Sequence, residues 1–329
     1  MKKSLLALAV LASSGVAMAQ SSVTLYGVAD ASVQKTSGKA GATRSSNTLA
    51  LSTNNTMNNG NSRFGMRGVE DLGGGLKASF NFEAGVNLGS GAADASVFQR
   101  AAFIALDGSF GQVYAGRRLS PSFNAIVSYE LTGAANYTAL GNKFGFGNAT
   151  RNSTYLAYTT PDMSGFKATV GTILKANNVA PNGTKTEFAL TYNQGPLAAG
   201  LAYDTVSQTV GKSKRDGSVG ARYDFGNFIL AASYQNPSGV RKGFTLGGTA
   251  KLGTASLTLD IARDNGDKGS KKKSTDYVLE AKQPLSKRTF VYGVIYHATA
   301  VNGAGGNALN AVAAGGSNNS FGVGVRHNF

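Results

Sequence analysis

The side chains able to do chemistry are few. The chain has no cysteine and only two histidines, His297 and His327. A nucleophile needs an orienting base, and no Ser/His/Asp arrangement or metal-ligand spacing is present, so hydrolysis, metal and cofactor chemistry have no visible machinery. What recurs instead is arginine at the head of an apolar alternation: Arg63 in RFGMRG, Arg100 in RAAFIAL and Arg151 in RNSTYLAY, with Arg67 sharing the parity of Arg63. Arg63 and Arg67 fall opposite Phe64 and Met66, which turns both toward water. A guanidinium stays charged at any physiological pH, so arginines on rigid strands make a fixed positive field. The competing use is pairing with turn or loop carboxylates, worth little at a surface.

The elements that carry these arginines alternate with period two. In SVTLYGVADASVQ, Val23, Leu25, Gly27, Ala29, Ala31 and Val33 share one face, and Thr24, Tyr26, Asp30, Ser32 and Gln34 the other. LKASFNFEAG sets Ala78, Phe80, Phe82 and Ala84 against Lys77, Ser79, Asn81 and Glu83. TASLTLDIAR and TDYVLEAKQ repeat the pattern. No sustained helical stripe and no run of 18 apolar residues occurs, which leaves half-buried antiparallel strands.

Connection lengths separate a soluble sandwich from a membrane barrel. Seven short links (near 70–76, 107–111, 160–165, 194–196, 224–227, 253–254 and 284–288) alternate with eight long ones (near 35–60, 86–98, 119–150, 176–185, 205–216, 236–242, 264–274 and 299–317). Fifteen links make sixteen strands, with short turns at one end and long loops at the other, as in transmembrane barrels. Strands of roughly ten residues suffice to cross hydrocarbon when tilted. In lipid the sheet must close, because each unpaired backbone group costs several kcal/mol. The pattern predicts an all-β, 16-stranded, antiparallel up-and-down transmembrane barrel, wide enough for a water-filled lumen. Only the lipid face need be apolar, which accommodates a hydrophobic content of 42%.

The N-terminus MKKSLLALAVLASSGVAMA has Lys2 and Lys3, an apolar run and an A-x-A exit, the organisation of a secretory signal peptide over 1–19. One barrel domain over 20–329 then follows. The 44 glycines, 6 prolines and absent cysteine describe an exported chain that forgoes disulfides. Removing Lys2 and Lys3 takes the net charge from +15 to +13. Such a balance often means nucleic acid, but no basic helix, zinc pattern or RNA-binding aromatic motif accompanies it. The run KGSKKKS (268–274) is either a solvated loop or a funnel that concentrates anions.

The segments SSVTLYGVAD, SRFGMRGVEDLGGGLKASFNFE, LSKRT and GVGVRHNF, in this order and spacing, resemble the trimeric general porins of Gram-negative bacteria, in particular the beta-proteobacterial branch. The resemblance implies an outer-membrane pore for passive diffusion of ions and small hydrophilic solutes, assembled as a homotrimer amid outer-membrane lipid and lipopolysaccharide. It also implies a loop three folded into the lumen, opposite an arginine column that Arg63, Arg100 and Arg151 match one by one. The 32 residues from Leu119 to Thr150 are that loop, in which no helix beyond a short turn is expected. They lack the Pro-Glu-Phe-Gly-Gly of commoner porins, and their single carboxylate, Glu130, is set against Lys143. Cation-preferring relatives place two or more acids there, so anion preference is expected. Tyr129 and Tyr137 either line the constriction or pack the loop onto the wall. The terminal Phe329 resembles the signal read by the barrel-assembly machinery, and its parity with Phe321, Val323 and Val325 turns it toward lipid at the periplasmic rim. A non-conducting structural or adhesive barrel is the alternative, with a plugged lumen.

Overall fold

The structure, a computed structural model, describes residues 22–329 apart from 41–42, 45–47, 55, 148, 179–181, 209–211, 239–240, 267–272 and 300–316. The expected signal peptide and most of the run 268–274 lie outside these residues. The alternating segments form sixteen long strands: β1 (Ser22–Ala40), β2 (Arg63–Gly73), β3 (Leu76–Gly85), β4 (Ala101–Gly108), β5 (Gly111–Leu119), β6 (Arg151–Thr159), β7 (Phe166–Ile173), β8 (Asn182–Gln194), β9 (Leu197–Gln208), β10 (Lys214–Asp224), β11 (Phe228–Asn236), β12 (Gly243–Leu252), β13 (Ala255–Asp264), β14 (Ser274–Pro284), β15 (Thr289–Thr299) and β16 (Ser317–Asn328). Each pairs antiparallel with the next, and β1 pairs with β16 from Val28 opposite Asn328 to Gly38 opposite Asn318, which closes the sheet. Two short strands in the first loop, Thr43–Arg44 and Leu49–Ser52, fold back onto β1.

The link between β2 and β3 shows why the turns can be so short. Gly73, Gly74 and Gly75 all take left-handed backbone, with φ of 86°, 61° and 83°, which side chains with a Cβ rarely adopt. At the same end of the barrel the chain terminus is hydrogen-bonded to β1: Phe329 N–H donates to Gly27 O at 3.0 Å and Gly27 N–H to Phe329 O at 2.9 Å. The Phe329 ring lies on the outer face against the bare Cα of Gly27, where a Cβ would come within 2.2 Å of its Cζ.

The two faces meet different solvents. Leu25, Ile104, Leu156, Leu201, Leu246 and Ile295 stand outward and exposed, a continuous apolar surface that water would penalise and hydrocarbon solvates. The opposite parity carries Asp30, Glu187, Asp204, Asp276 and Glu280, all buried.

Loop three departs from expectation, because it contains two helices, α1 (Pro121–Tyr129) and α2 (Ala139–Phe144). Helix α1 starts where Ser120 Oγ accepts the N–H of Phe123 at 3.0 Å, with Pro121 in the first turn, a strong N-terminal signature. Its buried stripe of Ala125, Ile126 and Tyr129 packs against the inward face of β8 to β11. Ala125 approaches Gly200 of β9 so closely that a Cβ there would meet its carbonyl oxygen at 2.2 Å.

Candidate functional site

Arg63, Arg100 and Arg151 stand at the heads of β2, β4 and β6. These strands all run from the long-loop end, so the three arginines occupy one level. Glu83, near the end of β3, ties two of them. Its Oε1 accepts Arg100 Nε at 2.7 Å, and its Oε2 lies 3.5 Å from Arg63 Nε. The side chains of Arg63, Arg100 and Glu83 keep 22%, 12% and 14% of their surface exposed. Arg151 joins through a hydrogen bond from its Nε to Arg100 O at 2.9 Å. Tyr26 Oη sits 3.0 Å from Glu83 Oε2 and 2.9 Å from Asn81 Oδ1, bracing the carboxylate from below. Glu83 of the wall therefore holds Arg63 and Arg100, while Arg151 is anchored by a backbone carbonyl. Two positive charges remain uncompensated.

Arg326 of β16 adjoins this group. It lies directly opposite Asp30 across the β1–β16 ladder and donates from Nη1 to Asn59 Oδ1 at 2.9 Å. Arg63 Nη1 in turn donates to Asn61 O at 2.9 Å. A Cβ on Gly60 would come within 2.9 Å of Arg326 Nη1 and 3.9 Å of Arg63 Nη1, so the bare glycine admits both guanidinium groups. Arg67 faces the same way but stacks over Tyr26 at 5.3 Å. Four residues further along β2, it is displaced by about 13 Å from the cluster.

Loop three contributes differently from the expectation. Glu130 does not face Lys143. Its carboxylate turns back into the loop, accepting N–H groups from Thr132 at 3.0 Å and Ala134 at 2.7 Å, and hydroxyls from Thr132 at 2.6 Å and Thr138 at 2.7 Å. Lys143 leaves the loop altogether, because α2 aims it at the wall, where its ammonium pairs with Asp276 of β14 at 2.6 Å with both side chains fully buried. Burial pushes the Lys143 ammonium below its ordinary value, and Asp276 works against that shift. Tyr129 and Tyr137 pack the loop onto the wall. Tyr129 Oη accepts from Gln235 at 3.0 Å, while Tyr137 donates to Glu280 and accepts from Asn59 at 2.8 Å. Burial, and then the Glu280 charge, push the Tyr137 phenol well above its usual range.

Sequence reasoning missed Glu83, Asp30, Asn59 and Arg326 as members of the site. Glu83 and Arg326 carried a signal in their inward parity. Asn59 carried none, since it lies in an irregular part of the first loop that turns inward, where Met57, Asn58 and Asn59 are buried.

A family model described as Gram-negative porin matches residues 5–304. The chain is a Gram-negative porin. Outer membrane porin protein 32 of Delftia acidovorans is 35% identical, with the whole of both chains covered. An outer membrane porin of Bordetella pertussis is 34% identical over 71% of this chain and 69% of its own. Among solved structures, the anion-selective porin from Comamonas acidovorans superposes with a TM-score of 0.79 at 28% identity, covering 94% of this chain and all of that one. The porin is thus a closed sixteen-stranded barrel of the bacterial outer membrane, of the beta-proteobacterial kind, forming a water-filled pore for passive diffusion.

Proposed function

We propose that this porin admits small anions in preference to cations, through a constriction between the wall of Arg63, Arg100 and Arg151 and the inner surface of loop three. One observation carries the reading: Arg63 and Arg100 share one carboxylate, with Arg151 bonded beside them to the Arg100 carbonyl, while the single acid of loop three is consumed inside the loop. The printed description of the Comamonas relative as anion-selective supports the same direction. Passage is diffusion without chemistry, so no catalytic group is involved. Residues 1–19 act as a cleaved signal peptide and 20–329 as one barrel domain. The working unit is a homotrimer, in keeping with the family and with the small outward residues Ala29 and Ala31, which allow close approach, whereas Gly27 is covered by the Phe329 ring. Phe329 is read by the assembly machinery during insertion. Reversal potentials of single channels in a planar bilayer under a salt gradient test the proposal. Values favouring chloride support it; values favouring potassium reject the preference, and negligible conductance would favour a structural or adhesive barrel. Heat-modifiable migration on semi-native gels reports the trimer.

A further inference from the structure

Residues 57–62 of the first loop turn inward and touch both the arginine wall and loop three. Asp30 of β1 seats them: its Oδ1 accepts Asn58 Nδ2 at 2.8 Å, its Oδ2 accepts the N–H of Gly60 at 3.1 Å, and its own N–H donates to Ser62 Oγ at 2.9 Å. Tyr292 of β15 completes the seat, donating to Asp30 Oδ1 at 2.7 Å and accepting the N–H of Asn59 at 3.1 Å. Met57 is fully buried in one cluster with Tyr137, Tyr292 and Val294, so apolar burial adds to the polar anchoring.

From that seat two asparagines each reach in two directions. Asn59 Oδ1 accepts Arg326 Nη1 at 2.9 Å, while its Nδ2 donates to Tyr137 Oη of loop three at 2.8 Å. Asn61 O accepts Arg63 Nη1 at 2.9 Å, while its Oδ1 accepts Asn136 Nδ2 of loop three at 2.6 Å. The backbone repeats the tie, with the N–H of Asn136 donating to Asn58 O at 3.2 Å. Arg63, Arg326, Asn61 and Asn136 all keep part of their surface exposed, so the bridge borders the aqueous path. Its acceptors are amide and backbone carbonyls, which orient a guanidinium without cancelling its charge. We infer that Asn59 and Asn61 are positioning residues of the pore: they tie the tip of loop three to the arginine wall, which sets the width of the constriction, and they do so with neutral groups, which keeps the wall positive. The width is independent of the anion preference proposed above, whereas the role of neutrality rests on it.

The test is liposome swelling with uncharged sugars of increasing size, beside reversal potentials in planar bilayers at about 0.01 M salt, with heat-modifiable migration showing that each variant has folded. Asn59→Ala/Asn61→Ala, which removes both side-chain ties, should admit larger sugars than wild type. Asn61→Ala alone, which leaves the Asn59 bonds to Arg326 and Tyr137 in place, should shift the limit the same way but by less. Asn61→Asp restores the acceptor for Asn136 and adds a negative charge. It should recover the wild-type sugar limit, while its chloride-over-potassium ratio should fall about fivefold below that of wild type. Folded alanine variants with the sugar limit of wild type would overturn the tie. An Asn61→Asp reversal potential equal to that of wild type would overturn the role of neutrality. Potassium preference in the wild type would overturn that role together with the anion reading, and the sugar limits would still decide the tie.

Discussion

Replacing Arg63, Arg100 and Arg151 together by glutamine tests the constriction directly. In the native cluster Arg63 and Arg100 pair with one carboxylate, Glu83, and Arg151 joins them through the Arg100 carbonyl, while Arg326 lies opposite Asp30. Two positive charges are left to act on a passing ion. At a water-like dielectric and a distance of about 7 Å, each charge changes the energy of a monovalent ion by about 0.6 kcal/mol, with opposite signs for chloride and potassium. Two charges then separate the two ions by about 2 kcal/mol at 0.01 M salt, a permeability ratio of about 30, where the Debye length of about 30 Å hardly screens. At 1 M the Debye length is about 3 Å and the ratio should fall to roughly 1.5. The triple variant removes three charges and leaves Glu83 alone, so its preference should pass through unity and become weakly cationic at low salt. The assay is the reversal potential in planar bilayers at both ionic strengths, with heat-modifiable migration confirming that the barrel has formed. A folded triple variant whose reversal potential stays at the wild-type value would refute the reasoning, as would a selectivity that ignores ionic strength.

Lys143→Met leaves Asp276 buried without its ammonium partner, with the donors of Tyr296 and Thr299, and should cost about 3 kcal/mol. Thermal unfolding should show that loss, and Lys143→Met/Asp276→Leu should recover most of it; an unchanged melting temperature in the single variant would mean the pair does not hold loop three. Gly220→Val puts a Cβ about where the Tyr129 ring sits, 2.7 Å from its Cδ2, so α1 should loosen and single-channel records should become noisier; variant traces as quiet as those of wild type would argue against that seat. Phe329→Ser should lower the fraction of folded barrel recovered from outer membranes, and Gly27→Leu, which displaces the same ring, should reproduce part of the loss. Wild-type recovery of both variants would separate the ring from assembly.

The barrel was legible in the sequence because a strand's period is two and the loops sort by length. Even so, the alternation could not show that β1 continues to Ala40, where it pairs with the first loop's own short strands. The arginine wall was an expectation of the resemblance: parity turned Arg63 toward water, but β6 carries an irregularity, with a register shift against β5 and Thr154 at a φ of 49°, that breaks the alternation between Leu156 and Arg151. Loop three was not legible, since its contacts are long-range. Nothing near Lys143 in sequence announces Asp276, and nothing near Tyr137 announces Glu280. The α1 signal, Ser120 followed by Pro121, was present but hidden by an expectation of irregular loop.

The pairing of loop three with the far wall shows how a barrel with many inward acids would keep the positive constriction proposed for it. Glu187 and Asp204 lie close to Ser122 of α1, at 3.4 and 3.2 Å from its hydroxyl. Asp276 takes Lys143, and Glu280 takes Tyr137. All four carboxylates are buried, so the loop covers the acidic wall and faces it with its own donors. On the opposite side Arg63 and Arg100 keep part of their surface in water. A charge under protein is matched locally by its partner, whereas one bordering the aqueous path acts on whatever crosses it. Selectivity in this geometry depends less on the sum of charges in the barrel than on which of them loop three leaves uncovered.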